Sequence, residues 1–124
     1  MTGPARRRKV LFVEDEPGLR SAYARLFVKR YEMAFAATGA EALSELGRFA
    51  PDVVVLDLRL PDVDGVDVLT KIRQARVPVR TIVTSAYASM EPQLALMDLG
   101  HKAYLQKPFD PEDLAQLIDE VADR

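Results

Sequence analysis

Short apolar runs alternate with amphipathic stretches along the whole chain. Val10–Val13, Met33–Ala36, Val53–Leu56, Ile82–Val83 and Ala103–Leu105 are brief and apolar, and each precedes or follows a segment with helical spacing. Parallel strands need a crossover connection, and a helix between consecutive runs supplies it. The alternation predicts an α/β architecture, a doubly wound five-stranded parallel sheet with crossover helices.

The helices are marked at different strengths. Leu114, Leu117, Ile118 and Val121 fall at i, i+3, i+4 and i+7, and Asp110-Pro111 supplies a cap and a first-turn proline. Leu19, Ala22, Leu26 and Phe27 form a similar stripe after Pro17. Thr38-Gly39-Ala40-Glu41 has the form of a capping box ahead of Leu43 and Leu46. Val68, Leu69 and Ile72 suggest a third helix. Leu94 to Leu99, closed by Gly100, suggest a fourth, with Pro92 tolerable only near its start.

The chain has 124 residues, the size of one domain with one core, and no repeat or Ser/Gly linker divides it. Residues 1–8 read as an N-terminal arm and 9–124 as the domain. The formal charge of −2 offers no basic field, so direct nucleic-acid contact is not expected. The cluster Arg6-Arg7-Arg8-Lys9 reads as a solvated arm, because no apolar stretch long enough for a signal peptide or membrane span follows it. No membrane association and a cytoplasmic location are the expectation.

The absence of cysteine excludes disulfides, thiolate zinc sites and cysteine nucleophiles, and His101 is the only histidine. None of the six glycines builds a G-x-G-x-x-G or P-loop phosphate cradle. What remains is a set of polar groups just past strands: Glu14-Asp15 after the first, Asp57 after the third, Ser85 after the fourth and Lys107 after the fifth. In a doubly wound sheet these converge on one rim.

Two carboxylates about 5 Å apart repel by roughly 3 kcal/mol at an effective dielectric near 20, so a cation must offset the crowding. Asp15 and Asp57 are the natural ligands for Mg2+, which prefers oxygen donors and keeps open positions for phosphoryl oxygens. Asp57 is then placed to act as a nucleophile forming an acyl phosphate. Lys107 serves as a point charge on one phosphoryl oxygen and the Ser85 hydroxyl as a hydrogen-bond donor to another. Asp62 and Asp64, within Pro61-Asp62-Val63-Asp64-Gly65, read as ordinary turn residues.

Four segments, in order, carry a resemblance to a known family: Val13-Glu14-Asp15-Glu16, Val55-Leu56-Asp57-Leu58-Arg59-Leu60-Pro61-Asp62-Val63-Asp64-Gly65, Thr84-Ser85-Ala86-Tyr87 and Tyr104-Leu105-Gln106-Lys107-Pro108-Phe109. From Lys9 to Ala122 the chain resembles the receiver domain of two-component response regulators. The resemblance implies a flavodoxin-like (βα)5 fold with strand order 2-1-3-4-5 and Asp57 as phosphoacceptor. It implies Mg2+ held by Asp15, Asp57 and the Arg59 backbone carbonyl, with Glu14 acting through water. It further implies a phosphoryl contact from Lys107, a cis peptide bond at Pro108, and a switch in which Ser85 draws Tyr104 inward.

The same resemblance implies a histidine kinase or histidine phosphotransfer protein as donor and an effector domain or downstream protein as target. The face of the fourth helix, fifth strand and fifth helix would change on phosphorylation and offers a route to a homodimer. Such a protein is a phosphoacceptor switch, not an enzyme. Glu14 departs from the family's usual Asp, and Ser85 from its common Thr. Arg59 and Tyr87 border the implied path of hydrolytic water. A phosphohydrolase would need a carboxylate two residues after Asp57, where Arg59 stands, and a flavin carrier would need a phosphate loop where Glu14-Asp15-Glu16 stands. A receiver-like interaction module independent of phosphorylation is the alternative.

Overall fold

Apolar runs make the strands, buried on both faces at the centre of the sheet and half-buried at its edges, and the structure, a computed structural model describing residues 7–86 and 103–123, shows how they assemble. The described elements are β1 (Arg8–Val13), α1 (Pro17–Phe27), β2 (Tyr31–Ala36), α2 (Gly39–Phe49), β3 (Val53–Asp57), α3 (Gly65–Gln74), β4 (Arg80–Ser85), β5 (Ala103–Gln106) and a C-terminal helix (Pro111–Ala122). All neighbouring strands are parallel and lie in the order β2-β1-β3-β4-β5. The expected fourth helix at Leu94–Leu99, together with Arg6, Tyr87, Pro92, Gly100 and His101, lies outside the described residues.

Strands run beyond the apolar cores that marked them. β4 extends from Arg80 to Ser85 rather than over Ile82–Val83 alone, because the ladder with β3 continues from Val53↔Arg80 to Asp57↔Thr84. β1 likewise starts at Arg8, one residue before the expected domain boundary, paired with Tyr31. The basic cluster is partly engaged: Arg7 donates to the Val28 carbonyl and Arg8 pairs with Asp123.

Side-chain alternation sorts the sheet into two apolar layers. Leu11, Val13, Val54, Leu56 and Val83 face α2 and α3, packing with Ala42, Leu46, Val68, Leu69 and Ile72. Val10, Phe12, Val53, Val55 and Ile82 face α1 and the C-terminal helix, packing with Tyr23, Phe27, Leu114, Ile118 and Val121. Phe12 stacks on Tyr23 at 4.8 Å and on Phe35 at 5.5 Å. Each such fully buried aliphatic or aromatic side chain contributes about 2 kcal/mol of transfer free energy.

Helix starts follow the capping signals. The Thr38 hydroxyl accepts from the Glu41 amide at 3.1 Å, and the Glu41 carboxylate reaches back to the Ala37 amide at 2.7 Å. Asp110 accepts from the Glu112 amide ahead of Pro111, and Asp64 from the Val66 amide. Asp64 is thus the cap of α3.

Gly65 shows why glycine stands at the start of that helix. A Cβ there would sit 2.4 Å from Leu58 Cα and 2.7 Å from the Leu58 oxygen, backbone atoms that no rotamer change can move. Gly65→Ala is expected to cost about 2 kcal/mol in urea unfolding, as overpacking does. Gly47→Ala, where nothing lies within 4 Å, is expected to stabilise α2 by up to about 1 kcal/mol. Equal effects in the two variants would contradict the close-approach account.

Candidate functional site

Parallel strands end on the same edge, so the residues after each apolar run share one rim. Glu14 follows β1 and is held to the neighbouring strand by its amide, which donates to the Ala36 carbonyl at 2.9 Å. Asp57 is the last residue of β3 and Ser85 the last of β4, both buried. Lys107 follows β5, its amide donating to the Ser85 carbonyl at 2.7 Å. Carboxylate oxygens of Glu14, Asp15 and Asp57 lie within 4.8 Å of one another, the first and third buried, Asp15 exposed. They line a recess of about 390 Å³ with Glu16, Arg59, Ala86 and Lys107.

One cation already serves two of these acids. The Lys107 ammonium lies 2.6 Å from Glu14 Oε1 and 3.0 Å from Asp57 Oδ2. The other Asp57 oxygen accepts from the Arg59 amide at 3.0 Å. Burial is the largest influence on Glu14 and, with the Asp57 charge, pushes its carboxyl up to about 7 against the pull of Lys107. Burial alone would lower the Lys107 ammonium, but its bonds to Glu14 and Asp57 raise it on balance.

Three carboxylates facing one ammonium leave a surplus of negative charge in an all-oxygen donor set. That composition fits a hard divalent cation such as Mg2+ in kind. Arg59 lines the same recess, and its backbone amide donates to Asp57 at 3.0 Å. Ser85 opens instead on the adjoining recess of about 490 Å³, formed with Leu58 to Asp64. Tyr104 is half-buried on β5 and packs against the apolar layer beneath α2 and α3. The Lys107–Pro108 peptide bond is cis.

Two residues that sequence reasoning passed over shape the rim. The Arg20 guanidinium, one turn into α1, donates 2.9 Å bonds to the backbone carbonyls of both Glu14 and Asp15 and so braces the turn that presents them. Asp62, read as a turn residue, accepts from the Gly39 and Ala40 amides at 2.8 and 3.1 Å. Arg20 sits five positions after Asp15, but no spacing rule reports a side chain reaching backward to carbonyls in a loop. Asp62 and its partners are more than twenty positions apart, beyond any local signal.

The family model described as "Response regulator receiver domain" matches residues 10–119. The sporulation initiation phosphotransferase F of Bacillus subtilis is 32% identical over 93% of this chain and 88% of its own length. The transcriptional regulatory protein KdpE of Mycobacterium tuberculosis is 40% identical over 87% of this chain but only 48% of its own length. The chain spans about half the length of several transcriptional regulators it matches. Among solved structures, the signal receiver domain of a putative LuxO repressor protein from Vibrio parahaemolyticus superposes with a TM-score of 0.87 at 31% identity, covering 95% of this chain and 92% of the other. A CheY-like receiver domain protein from Methanospirillum hungatei gives 0.86 at 30% identity, covering 94% of each chain.

Proposed function

The chain belongs to the response regulator receiver domain family, and we propose that it takes a phosphoryl group onto Asp57 from a histidine kinase or histidine phosphotransfer protein. Receiver domains are signalling switches of two-component systems, not classical enzymes. The observation that carries the reading is Asp57 itself: buried at the end of β3, contacted by the Lys107 ammonium at 3.0 Å, with Glu14 and Asp15 oxygens within 4.8 Å.

In the transfer, the phosphorus–nitrogen bond of the donor phosphohistidine breaks as an Asp57 oxygen forms the new phosphorus–oxygen bond. Lys107 passes from the Asp57 carboxylate to a phosphoryl oxygen, where its charge matches the developing anion. Ser85 donates its hydroxyl to another phosphoryl oxygen, and Tyr104 follows it inward. Asp15, Asp57 and the Arg59 carbonyl would hold Mg2+, with Glu14 acting through water. When bound, the ion neutralises negative charge on the transferring group. Arg20 keeps the acidic pair oriented, and residues 9–124 form the unit that does this.

The output is a changed surface over β5, the C-terminal helix and the Leu94–Leu99 segment where the sequence predicts a fourth helix, read by an effector domain or downstream protein and available for homodimerisation. The greater length of the regulators this chain resembles supports an effector in that role. The described part carries no helix long and apolar enough to cross a membrane. The chain itself makes no direct nucleic-acid contact in this reading, and a cytoplasmic location suits a kinase-fed switch.

Intact mass after incubation with acetyl phosphate tests the reading. A gain of one phosphoryl group only with Mg2+ is expected. No adduct, together with no response to a beryllofluoride complex, would instead identify an interaction module independent of phosphorylation.

Glu14 adds a pH dependence whose sign is fixed by its raised carboxyl. A folded-state value near 7 against an ordinary 4.5 means its stabilising contribution is complete below about pH 4.5 and is lost as pH rises through 7. The metal-free protein should therefore lose Tm between pH 5 and 8, and Glu14→Gln should flatten that decline. Mg2+, which needs the ionised acid, should bind more tightly at pH 8 than at pH 6 and release protons on binding. Calorimetry in two buffers of different ionisation enthalpy reads this directly; buffer-independent heats would contradict it.

A further inference from the structure

We infer that Asp62 is a positioning residue for the metal site: its carboxylate, seated on the first two amides of α2, ties the loop between Asp57 and Gly65 to that helix and so aims the Arg59 carbonyl. The inference rests on the receiver reading above and adds to it a residue outside the acidic recess.

Both carboxylate oxygens are used, Oδ1 by the Gly39 amide at 2.8 Å and Oδ2 by the Ala40 amide at 3.1 Å. The next two amides of α2 are satisfied locally, Glu41 by the Thr38 hydroxyl and Ala42 by the Thr38 carbonyl. Only the first two are left for a group from outside, and a carboxylate suits the positive end of the helix. The Gly39 and Ala40 amides hold the Asp62 carboxyl below the usual carboxylate range, so the contact is made by the charged form.

Gly39 brings the loop against the helix. A Cβ there would stand 2.4 Å from Val63 Cγ2 and 2.9 Å from Val68 Cγ2. At its base the loop is closed by the Gly65 amide on the Leu58 carbonyl at 2.9 Å and by the Arg59↔Asp64 bridge. Those bonds keep the loop's shape. The Leu58 amide on the Thr84 carbonyl at 3.1 Å holds the loop's base to β4, and the Asp62 contact ties its outer part to α2. Arg59 is joined to both ends, through the Asp64 bridge and through its own amide on Asp57 Oδ1 at 3.0 Å.

The test is calorimetric titration of Mg2+ into the native chain, Asp62→Ala, Asp62→Asn, Gly39→Ala and the Asp62→Ala/Gly39→Ala double variant, with amide hydrogen exchange over residues 58–64. Asp62→Ala is expected to bind Mg2+ about tenfold more weakly, as loss of a group supporting a metal ligand does, and to exchange the Arg59 amide faster. Asp62→Asn, keeping one acceptor oxygen for the Gly39 amide, should fall between it and the native chain. The double variant should be no weaker than the worse single one, because both changes open the same contact. Native Mg2+ affinity and native loop exchange in Asp62→Ala would overturn this inference alone. A native chain that takes up no Mg2+ would overturn the receiver chemistry and this inference with it.

Discussion

Asp57→Asn is expected to abolish phosphoryl uptake completely while leaving the fold intact. The amide keeps the shape of the carboxylate and an acceptor oxygen for the Lys107 ammonium or the Arg59 amide, both 3.0 Å away in the native chain. What it loses is the anionic oxygen that attacks phosphorus. It also removes one of two buried acids whose oxygens approach within 4.8 Å, a repulsion of up to about 3 kcal/mol at an effective dielectric near 20. Without Mg2+ the variant should therefore be at least as stable as the native chain in urea, and with Mg2+ the native chain should gain more. Residual phosphorylation would move the acceptor elsewhere; a large loss of stability would show that Asp57 is structural first.

Lys107→Ala should have the second largest effect, and on two properties at once. The ammonium is the one described side-chain cation bonded to both Glu14 and Asp57. Removing a partner from a buried ion pair costs 3–5 kcal/mol in well-buried cases. Lys107, with 19% of its side chain exposed, is better placed at about 2 kcal/mol after allowance for screening. Its folded-state value is raised above 10.5, so this stabilisation is complete below that pH and is lost only as pH rises through the raised value. The deficit should accordingly be full at pH 8 and smaller near pH 5, where Glu14 takes up its own proton. Mg2+ should recover part of it by replacing the lost charge. The rate of phosphorylation from acetyl phosphate should still fall by about a hundredfold, as when one preorganised charge facing the transferring group is lost.

Much of this protein was readable from the chain because its signals are local. Val10–Val13 and Val53–Leu56 are buried on both faces, so their apolar runs have no polar interruption to blur them. Thr38 and Asp110 announce helix starts through bonds that span three residues or fewer, and Pro111 through its fixed φ. Given parallel strands, the meeting of Glu14, Asp15, Asp57 and Lys107 at one rim follows from their places after successive runs.

The contacts that hold that rim in shape were not readable, because they join residues the sequence separates. Arg20 reaches back from a helix to two carbonyls, and Asp62 crosses from one βα loop to the start of another helix. Tyr31 donates to Asp119 and Arg30 pairs with Glu112, fastening β2 to the C-terminal helix across more than eighty positions. Strand ends were underestimated for the related reason that ladder bonds, not side-chain apolarity, decide where a strand stops, as at Arg80 and Ser85.

The acceptor atom is assigned to Asp57, and reductive trapping reads that assignment residue by residue. An aspartyl phosphate is an acyl phosphate, which borohydride reduces to an alcohol, converting that residue alone to homoserine. After incubation with acetyl phosphate and Mg2+, peptide mapping should find homoserine at position 57 and at no other acidic residue. Homoserine at Asp15 or 5-hydroxynorvaline at Glu14 instead, or an intact phosphoryl ester on Ser85, would overturn that assignment.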